Sequence, residues 1–282
     1  CIVTADMHLA AMRTVRPGLR ESDVAAAVAE AAFEHNYQLS FPIIATINGQ
    51  TLHNNDHSHL IKSGDMVLLD AGAETEMGYA GDMSSTMPAD RKFTQRQRDV
   101  YDIQVAAHEA AVADLRPGVN FVDVYEHSCA IIMQGMKDLG FAKGDPMEAV
   151  KAGAHAMFMP CGLGHMMGLD VHDMENLGEV YVGYNGKPKS TQFGRKSLRL
   201  GRELEPGFVL TIEPGVYFIP ELMDLWRKEG KFTEFLNYDK LETYKDFGGI
   251  RNEEDYLITE DGARLLGKKI PVRAEDVENE HC

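Results

Sequence analysis

The chain has 282 residues, within reach of one large α/β domain with a sizeable core. Its 44 acidic residues against 28 basic ones give a formal charge of −16, which repels phosphate backbones and excludes nucleic acid as a default partner. No run approaches the roughly 20 apolar residues of a membrane helix, and four scattered cysteines (Cys1, Cys129, Cys161, Cys282) form no disulfide framework, so a reducing, cytoplasmic setting is expected.

The chain opens at Cys1 inside a helical pattern (Met7, Leu9, Ala10, Met12, Val15), which suggests that an upstream segment is missing. Arg16-Pro17-Gly18 then breaks the helix, and a second helical pattern follows (Val24, Ala27, Val28, Ala31). From Gly64 a buried β-run, Met66 to Leu69, leads into Asp70-Ala71-Gly72, and Tyr79 to Ser84 reads as the returning arm of a hairpin that carries Asp82. A capping box of Thr94 and Gln97 opens a helix that runs through Tyr101 to Leu115. Arg116-Pro117-Gly118 ends it, 100 residues after the first such turn, and Phe121 to Leu139 is helical again. Next comes Cys161-Gly162-Leu163-Gly164-His165, with His172 seven residues on, and then a surface loop over Asn185 to Lys196, rich in Gly, Lys, Ser and Pro. Gly207 leads into a second β-run, Phe208 to Ile212, which ends in Glu213-Pro214-Gly215. A long excursion separates it from Gly249-Ile250-Arg251-Asn252-Glu253 and the β-like Tyr256-Leu257-Ile258.

Two echoes in the same order, the Arg-Pro-Gly turns and the glycine–β-run–carboxylate segments, indicate a duplicated unit of helix, turn, helix and hairpin. Neither copy covers its own sheet, so the two must pack around a shared one, an α/β (α+β) arrangement. Four carboxylates, Asp70, Asp82, Glu213 and Glu253, stand on these paired strands. A charge at the end of a buried strand needs a partner or a cation, and Arg251 is the main basic residue nearby. The glycines around His165 let backbone approach a site closely, which favours this histidine as a further ligand. Four carboxylates and one imidazole suit Mn²⁺, Co²⁺ or Zn²⁺ in a two-metal site. Such a pair of ions supports hydrolysis of an amide.

The motifs Leu69-Asp70-Ala71-Gly72, Gly81-Asp82, Gly162-Leu163-Gly164-His165, Ile212-Glu213-Pro214-Gly215 and Gly249-Ile250-Arg251-Asn252-Glu253 resemble those of the pita-bread metallopeptidases. That superfamily includes methionine aminopeptidase, aminopeptidase P and prolidase. The resemblance spans almost the whole chain. It implies a pita-bread fold, with duplicated helix–hairpin units around a curved, mainly antiparallel sheet. The domain expected is a catalytic one over 1–273, its first helix truncated and the amino-terminal domain absent, followed by an acidic frayed tail over 274–282.

By position, the resemblance implies Asp70 on one metal, Asp82 and Glu253 bridging both, and His165 and Glu213 on the second. Glu213 doubles as proton shuttle, His53 and His172 attend the substrate carbonyl, and Arg251 meets a substrate carboxylate. His57 and His59 read as ordinary loop residues. The ions expected are two divalent metals, Mn²⁺ before Zn²⁺ or Co²⁺, and the assembly a homodimer. The long link after Gly215 and the insertion between His172-Asp173 and Ser197-Leu198-Arg199 look most like prolidase, acting on Xaa-Pro dipeptides. The alternative is aminopeptidase P, acting on longer Xaa-Pro peptides. Non-catalytic interaction modules of this fold and metal-free hydrolases such as creatinase lose ligands that this chain retains. Cys161 stands where these enzymes have a histidine, which bears on the substrate end. The 12-residue spacing from Asp70 to Asp82 is one more than the family's, so a bulge is expected at the hairpin tip.

Overall fold

A computed structural model describes residues 1–281. The first half runs α1 (Ile2–Thr14), α2 (Glu21–Phe33), β1 (Gln38–Leu39), β2 (Ile44–Thr46), β3 (Met66–Ala71), β4 (Ala73–Glu74) and β5 (Met83–Pro88). The second half opens with α3 (Gln95–Asp114), α4 (Phe121–Asp138), α5 (Pro146–Ala152) and α6 (Glu179–Tyr184). It closes with β6 (Val209–Ile212), β7 (Gly215–Tyr217), α7 (Pro220–Glu229), α8 (Tyr238–Glu242), β8 (Gly249–Arg251), β9 (Glu254–Ile258), β10 (Ala263–Leu265) and α9 (Ala274–Glu280).

The duplication is present at atomic detail. Gly18 N–H donates to Ile61 O at 2.9 Å, and Gly118 N–H donates to Leu204 O at 2.8 Å, so each Arg-Pro-Gly turn is pinned to the strand approach of its own half. The glycines that launch the two carboxylate strands, Gly64 and Gly207, share φ +92°, a left-handed value that side chains with a Cβ resist. In each half the helix after the turn packs on the helix before it, α2 on α1 and α4 on α3. As the sequence indicates, α3 starts at a capping box in which the Thr94 side chain accepts from Gln97 N–H.

Every strand pairing is antiparallel, and two registers organise the sheet. β3 pairs β5 from Met66↔Pro88 to Ala71↔Met83. The same register continues to the tip, where Gly81 N–H reaches Ala73 O and Thr75 N–H reaches Tyr79 O, both at 3.0 Å. The bulge expected there is present in the turn itself: Gly78, at φ +80°, donates to Thr75 O at 2.9 Å, so Gly78 and Tyr79 together oppose Thr75 while the strands below stay in register. In the second half β6 pairs β9 and β7 pairs β8 in one continuous register, from Val209↔Leu257 to Tyr217↔Gly249. A bridge between Ser84 and Glu253 stitches the two hairpins together, and residues 163–167 add a further edge beside β6, where Met166 bridges Leu210.

The excursion after β7 is helical. It is anchored by Phe218, whose ring lies 5.3 Å from that of Phe141 and 5.1 Å from that of Phe247. Residues 274–281 are a correction to the frayed tail expected there. They form α9, with Ala274 and Val277 buried and Glu278 accepting from Phe93 N–H at 3.1 Å. The acids that suggested fraying lie on the outer side, where Arg98 pairs with Glu275 and Arg13 with Glu280. Cys282 lies outside the described residues.

Candidate metal centre

The two registers dictate where the acids go. Side chains alternate between faces along a strand, so residues directly opposite each other, and those two positions away, share a face. Asp70 lies opposite Ser84, and Asp82, two residues from Ser84, joins both on that face. Extending the β6–β9 register by one residue sets Glu213 opposite Glu253. The Ser84–Glu253 bridge, closed by Glu253 N–H to Ser84 O at 2.9 Å, aligns the two rows. On the outer edge Thr211 N–H donates to His165 O at 3.0 Å, which turns the imidazole onto the same face.

The result is a buried cluster. His165 Nε2 lies 3.4 Å from Asp82 Oδ2 and 3.6 Å from Glu213 Oε1. Single donor atoms of Asp82, His165 and Glu253 all fall within 4.8 Å of one another. The His165 Nδ1 stands 3.0 Å from Met166 O, which can only accept, so Nδ1 carries a proton and Nε2 is the nitrogen that faces the acids. Ser84 Oγ donates to Glu253 Oε2 at 2.7 Å and fixes that carboxylate. Asp70 Oδ1 and Asp82 Oδ1 are buried with no partner among the described residues.

Burial pushes the carboxyl groups of Asp82 and Glu253 well above their ordinary range, and neighbouring acids push them further: Asp70 for Asp82, and Asp82 for Glu253. Burial raises Glu213 as well. Carboxyl groups crowded this way, with orphaned oxygens and an imidazole nitrogen among them, are a set that divalent cations complete.

The surroundings sort the remaining candidates. A cavity of about 270 Å³ opens onto the cluster and is lined by His53, His172, Cys161 and Arg199 among others. The His172 ring meets that of His165 edge-on at 4.5 Å. Burial, then the neighbouring His165 and Arg199, hold His172 down at about 3, so it is neutral in ordinary buffers. His57 and His59 do what loop residues do: His57 bonds Ile43 O at 2.9 Å, and His59 lies 2.9 Å from the buried Glu21. Cys161 lies beside Glu213 and Tyr217, and burial pushes its thiol up to about 12.

Arg251 departs from the expectation of a free cation for a substrate carboxylate. Its Nη2 donates to Asp70 Oδ2 at 2.7 Å, Nε to Ser84 Oγ at 2.9 Å and Nη1 to Tyr217 Oη at 3.0 Å. The guanidinium is thus built into the wall, with 5% of the residue exposed.

Four residues of the site escaped sequence reasoning. Asp255 lies opposite Asp82 when the Ser84–Glu253 register is extended; it accepts from Asp82 N–H at 3.3 Å, and burial lifts its carboxyl to about 7. Its position two residues from Glu253 was the signal available for it, as position two from Asp82 was for Ser84. Thr211 was likewise legible as the inward neighbour of Glu213, whose Oε1 lies 3.4 Å from its hydroxyl. Arg199 lines the cavity and donates to Glu175 at 2.6 Å; nothing local in the sequence marked it.

A duplicated antiparallel sheet that gathers four acids and a histidine at its seam defines a pita-bread protein with a buried cluster of side chains able to hold a divalent cation. The chain belongs to metallopeptidase family M24, whose model matches residues 1–260. It is similar to the human Xaa-Pro dipeptidase, 32% identical over 98% of this chain and 56% of the relative. It is also similar to the Xaa-Pro aminopeptidase of Escherichia coli strain K12, 34% identical over 98% of this chain and 55% of that protein. Among solved structures, a variant of Escherichia coli aminopeptidase P in complex with substrate superposes with TM-score 0.81 and 33% identity over 99% of this chain and 56% of that one. Proline aminopeptidase P II from Yersinia pestis superposes with the same TM-score, identity and coverage. The chain spans about half the length of the curated relatives it matches.

Proposed function

We propose that this chain is the catalytic unit of a dinuclear metallopeptidase that cleaves the bond between an amino-terminal residue and proline, dipeptides being the first substrate. The observation that carries this reading is the register that sets Glu213 against Glu253 and, through Ser84, against Asp70 and Asp82. In this reading Asp70 would hold one ion, Asp82 and Glu253 would serve both, and His165 and Glu213 would hold the other. Bound there, two divalent cations supply an activated water and a polarised carbonyl. The oxygen-rich donor set favours Mn²⁺, with Zn²⁺ and Co²⁺ as substitutes.

The chain's own groups do the rest. Glu213, at the cavity wall with a carboxyl shifted upward by burial, accepts a proton from water and passes it to the leaving imino nitrogen. Neutral His172 donates a hydrogen bond to the oxyanion that develops on the scissile carbonyl, and His53, on the same wall, orients the substrate. Arg251 is buried and engaged by Asp70; Arg199, whose Nη1 pairs with Glu175 but whose side chain stays partly exposed on the cavity lining, is the better-placed cation for a substrate carboxylate. A neighbouring lobe lined by Phe41, Pro42, Ile44 and Val171 shares Asp70, Asp82 and His172 and takes the side chain of the first residue.

Aminopeptidase P action on longer peptides is the second reading, favoured by the similarity to the Escherichia coli enzyme. Homodimer formation follows the family resemblance, and a reducing cytoplasmic setting fits the unbridged Cys1, Cys129 and Cys161. The test compares Ala-Pro with Ala-Pro-Ala hydrolysis in added Mn²⁺ for the parent and Asp82→Asn. Parent activity on Ala-Pro that falls at least 100-fold in the variant supports the assignment. Undiminished turnover rejects the bridging role of Asp82, and activity confined to Ala-Pro-Ala selects the second reading.

A further inference from the structure

The insertion between His172 and Ser197 holds one residue of the cavity wall at both its backbone and its side chain. It contains a single 3₁₀ turn, Glu175–Leu177, followed by α6, and α6 packs on the segment that carries Arg199. Gly183 O accepts from Gly201 N–H at 2.8 Å, and Tyr184 Oη donates to Leu198 O at 2.7 Å. A Cβ on Gly183 would fall 1.9 Å from Arg199 O, so this approach needs glycine. Gly162, in the stretch that delivers His165, meets the same segment: its Cβ would stand 2.9 Å from Ser197 O and 3.1 Å from Leu198 Cα. The Arg199 backbone is therefore fixed against both α6 and the metal centre.

A fixed backbone does not aim so long a side chain, and that of Arg199 is 37% exposed. Glu175 supplies the restraint. Its Oε2 accepts from Arg199 Nη1 at 2.6 Å, and its own side chain is only 16% exposed. Arg199 and Ser197 line the cavity and Glu175 does not, so the acid holds the guanidinium from outside the space a substrate fills. Nε and Nη2 of Arg199 have no partner among the described residues. They are the adjacent donors that a carboxylate takes side by side. We propose that Glu175 is a positioning residue, which holds Arg199 so that its Nε–Nη2 edge receives the carboxylate of a substrate ending in proline and thereby selects dipeptides over longer peptides. A guanidinium fixed beforehand loses less freedom when its ligand arrives, so the effect falls on substrate affinity rather than on the chemical step. The selection of dipeptides rests on the peptidase reading, whereas the fixing of Arg199 does not.

Two measurements on the Mn²⁺-loaded protein separate these parts. Nitrogen-15 relaxation of the Arg199 Nε–H group, assigned by its loss in Arg199→Lys, reads the fixing without substrate. Hydrolysis of Ala-Pro and of Ala-Pro-NH2, which lacks the carboxylate, reads its use. Glu175→Ala is expected to convert an ordered Nε–H into a mobile one. It should also raise KM for Ala-Pro about ten-fold with kcat nearly unchanged, and leave Ala-Pro-NH2 kinetics as they were. Glu175→Gln, whose amide oxygen still accepts from Nη1, is expected to restore most of the order and most of the KM. An Nε–H already mobile in the parent, an equal KM rise on both substrates, or parent-like order and KM in Glu175→Ala each overturn the proposal. A parent inactive on both substrates defeats the peptidase reading and the selection of dipeptides with it.

Discussion

Gly164→Ala is the sharpest probe of how the sheet holds its imidazole. A Cβ built on Gly164 falls 2.0 Å from the Thr211 carbonyl oxygen and 3.2 Å from its hydroxyl. Carbon and oxygen normally approach no closer than about 3.3 Å, and the obstacle is backbone of β6, which no rotamer change can clear. The edge segment must therefore move off β6 by more than about 1 Å. Two bonds resist that shift: Thr211 N–H to His165 O at 3.0 Å and Glu213 N–H to Leu163 O at 2.8 Å. Overpacking of this kind costs about 1–3 kcal/mol. Because His165 Nε2 sits only 3.4 Å and 3.6 Å from Asp82 and Glu213, the same shift separates these three donor groups, and a misplacement near 1 Å at the proposed metal site lowers turnover about 100-fold. Urea denaturation, Mn²⁺ titration calorimetry and Ala-Pro hydrolysis read the three effects. Gly262→Ala is the control, since its Cβ meets nothing within 4 Å. If Gly164→Ala matches that control in stability and in Mn²⁺ affinity, the close approach of the two segments is not what positions His165.

Arg251→Met leaves Asp70 buried beside no cation, and a broken buried pair costs about 3–5 kcal/mol in metal-free protein by urea denaturation. Arg251→Lys should recover little, because a single ammonium cannot serve Asp70, Ser84 and Tyr217 together; full recovery would show that charge alone matters there. His155, buried against the Tyr125 hydroxyl at 2.8 Å, is pushed by burial from 6.5 down to about 4. The unfolded chain thus binds the proton first. The contribution of His155 is complete above pH 6.5 and falls by about 3 kcal/mol as pH drops towards 4, and His155→Gln should remove that part of the slope in chemical melts at stepped pH. Cys161, with its thiol pushed up to about 12, stays protonated at pH 8 and should alkylate with iodoacetamide far more slowly than in urea; equal rates by mass spectrometry contradict that environment.

What could be read from the residues was what local chemistry controls. Glycine turns, a capping box and β-runs ending in acids are written within a few positions of one another, and they located both halves and all four strand carboxylates. Partnerships across the chain were not legible. The Ser84–Glu253 hydrogen bond joins residues 169 apart, and Arg251 reaches Asp70 across 181. Arg251 could be nominated as a neighbour of the acids, yet its three partners depend on which strands adjoin. The fate of 274–281 followed the same logic. Composition there is acidic, but Ala274 and Val277 find a groove against distant helices, and tertiary burial overrides local polarity. Asp255 and Ser84 were within reach of a simple period-two argument from Glu253 and Asp82.

The stitch between Ser84 and Glu253 also orders events in time. Each hairpin closes locally, but neither brings more than two of the four acids, and the contact that unites them spans more than half the chain. Loop closure on that scale is slow and late. The protein must therefore assemble its two lobes before it can compete for cations. Ions held there, as proposed, would act as rivets at that joint, so chelation should loosen the junction between the lobes before it disturbs the interior of either.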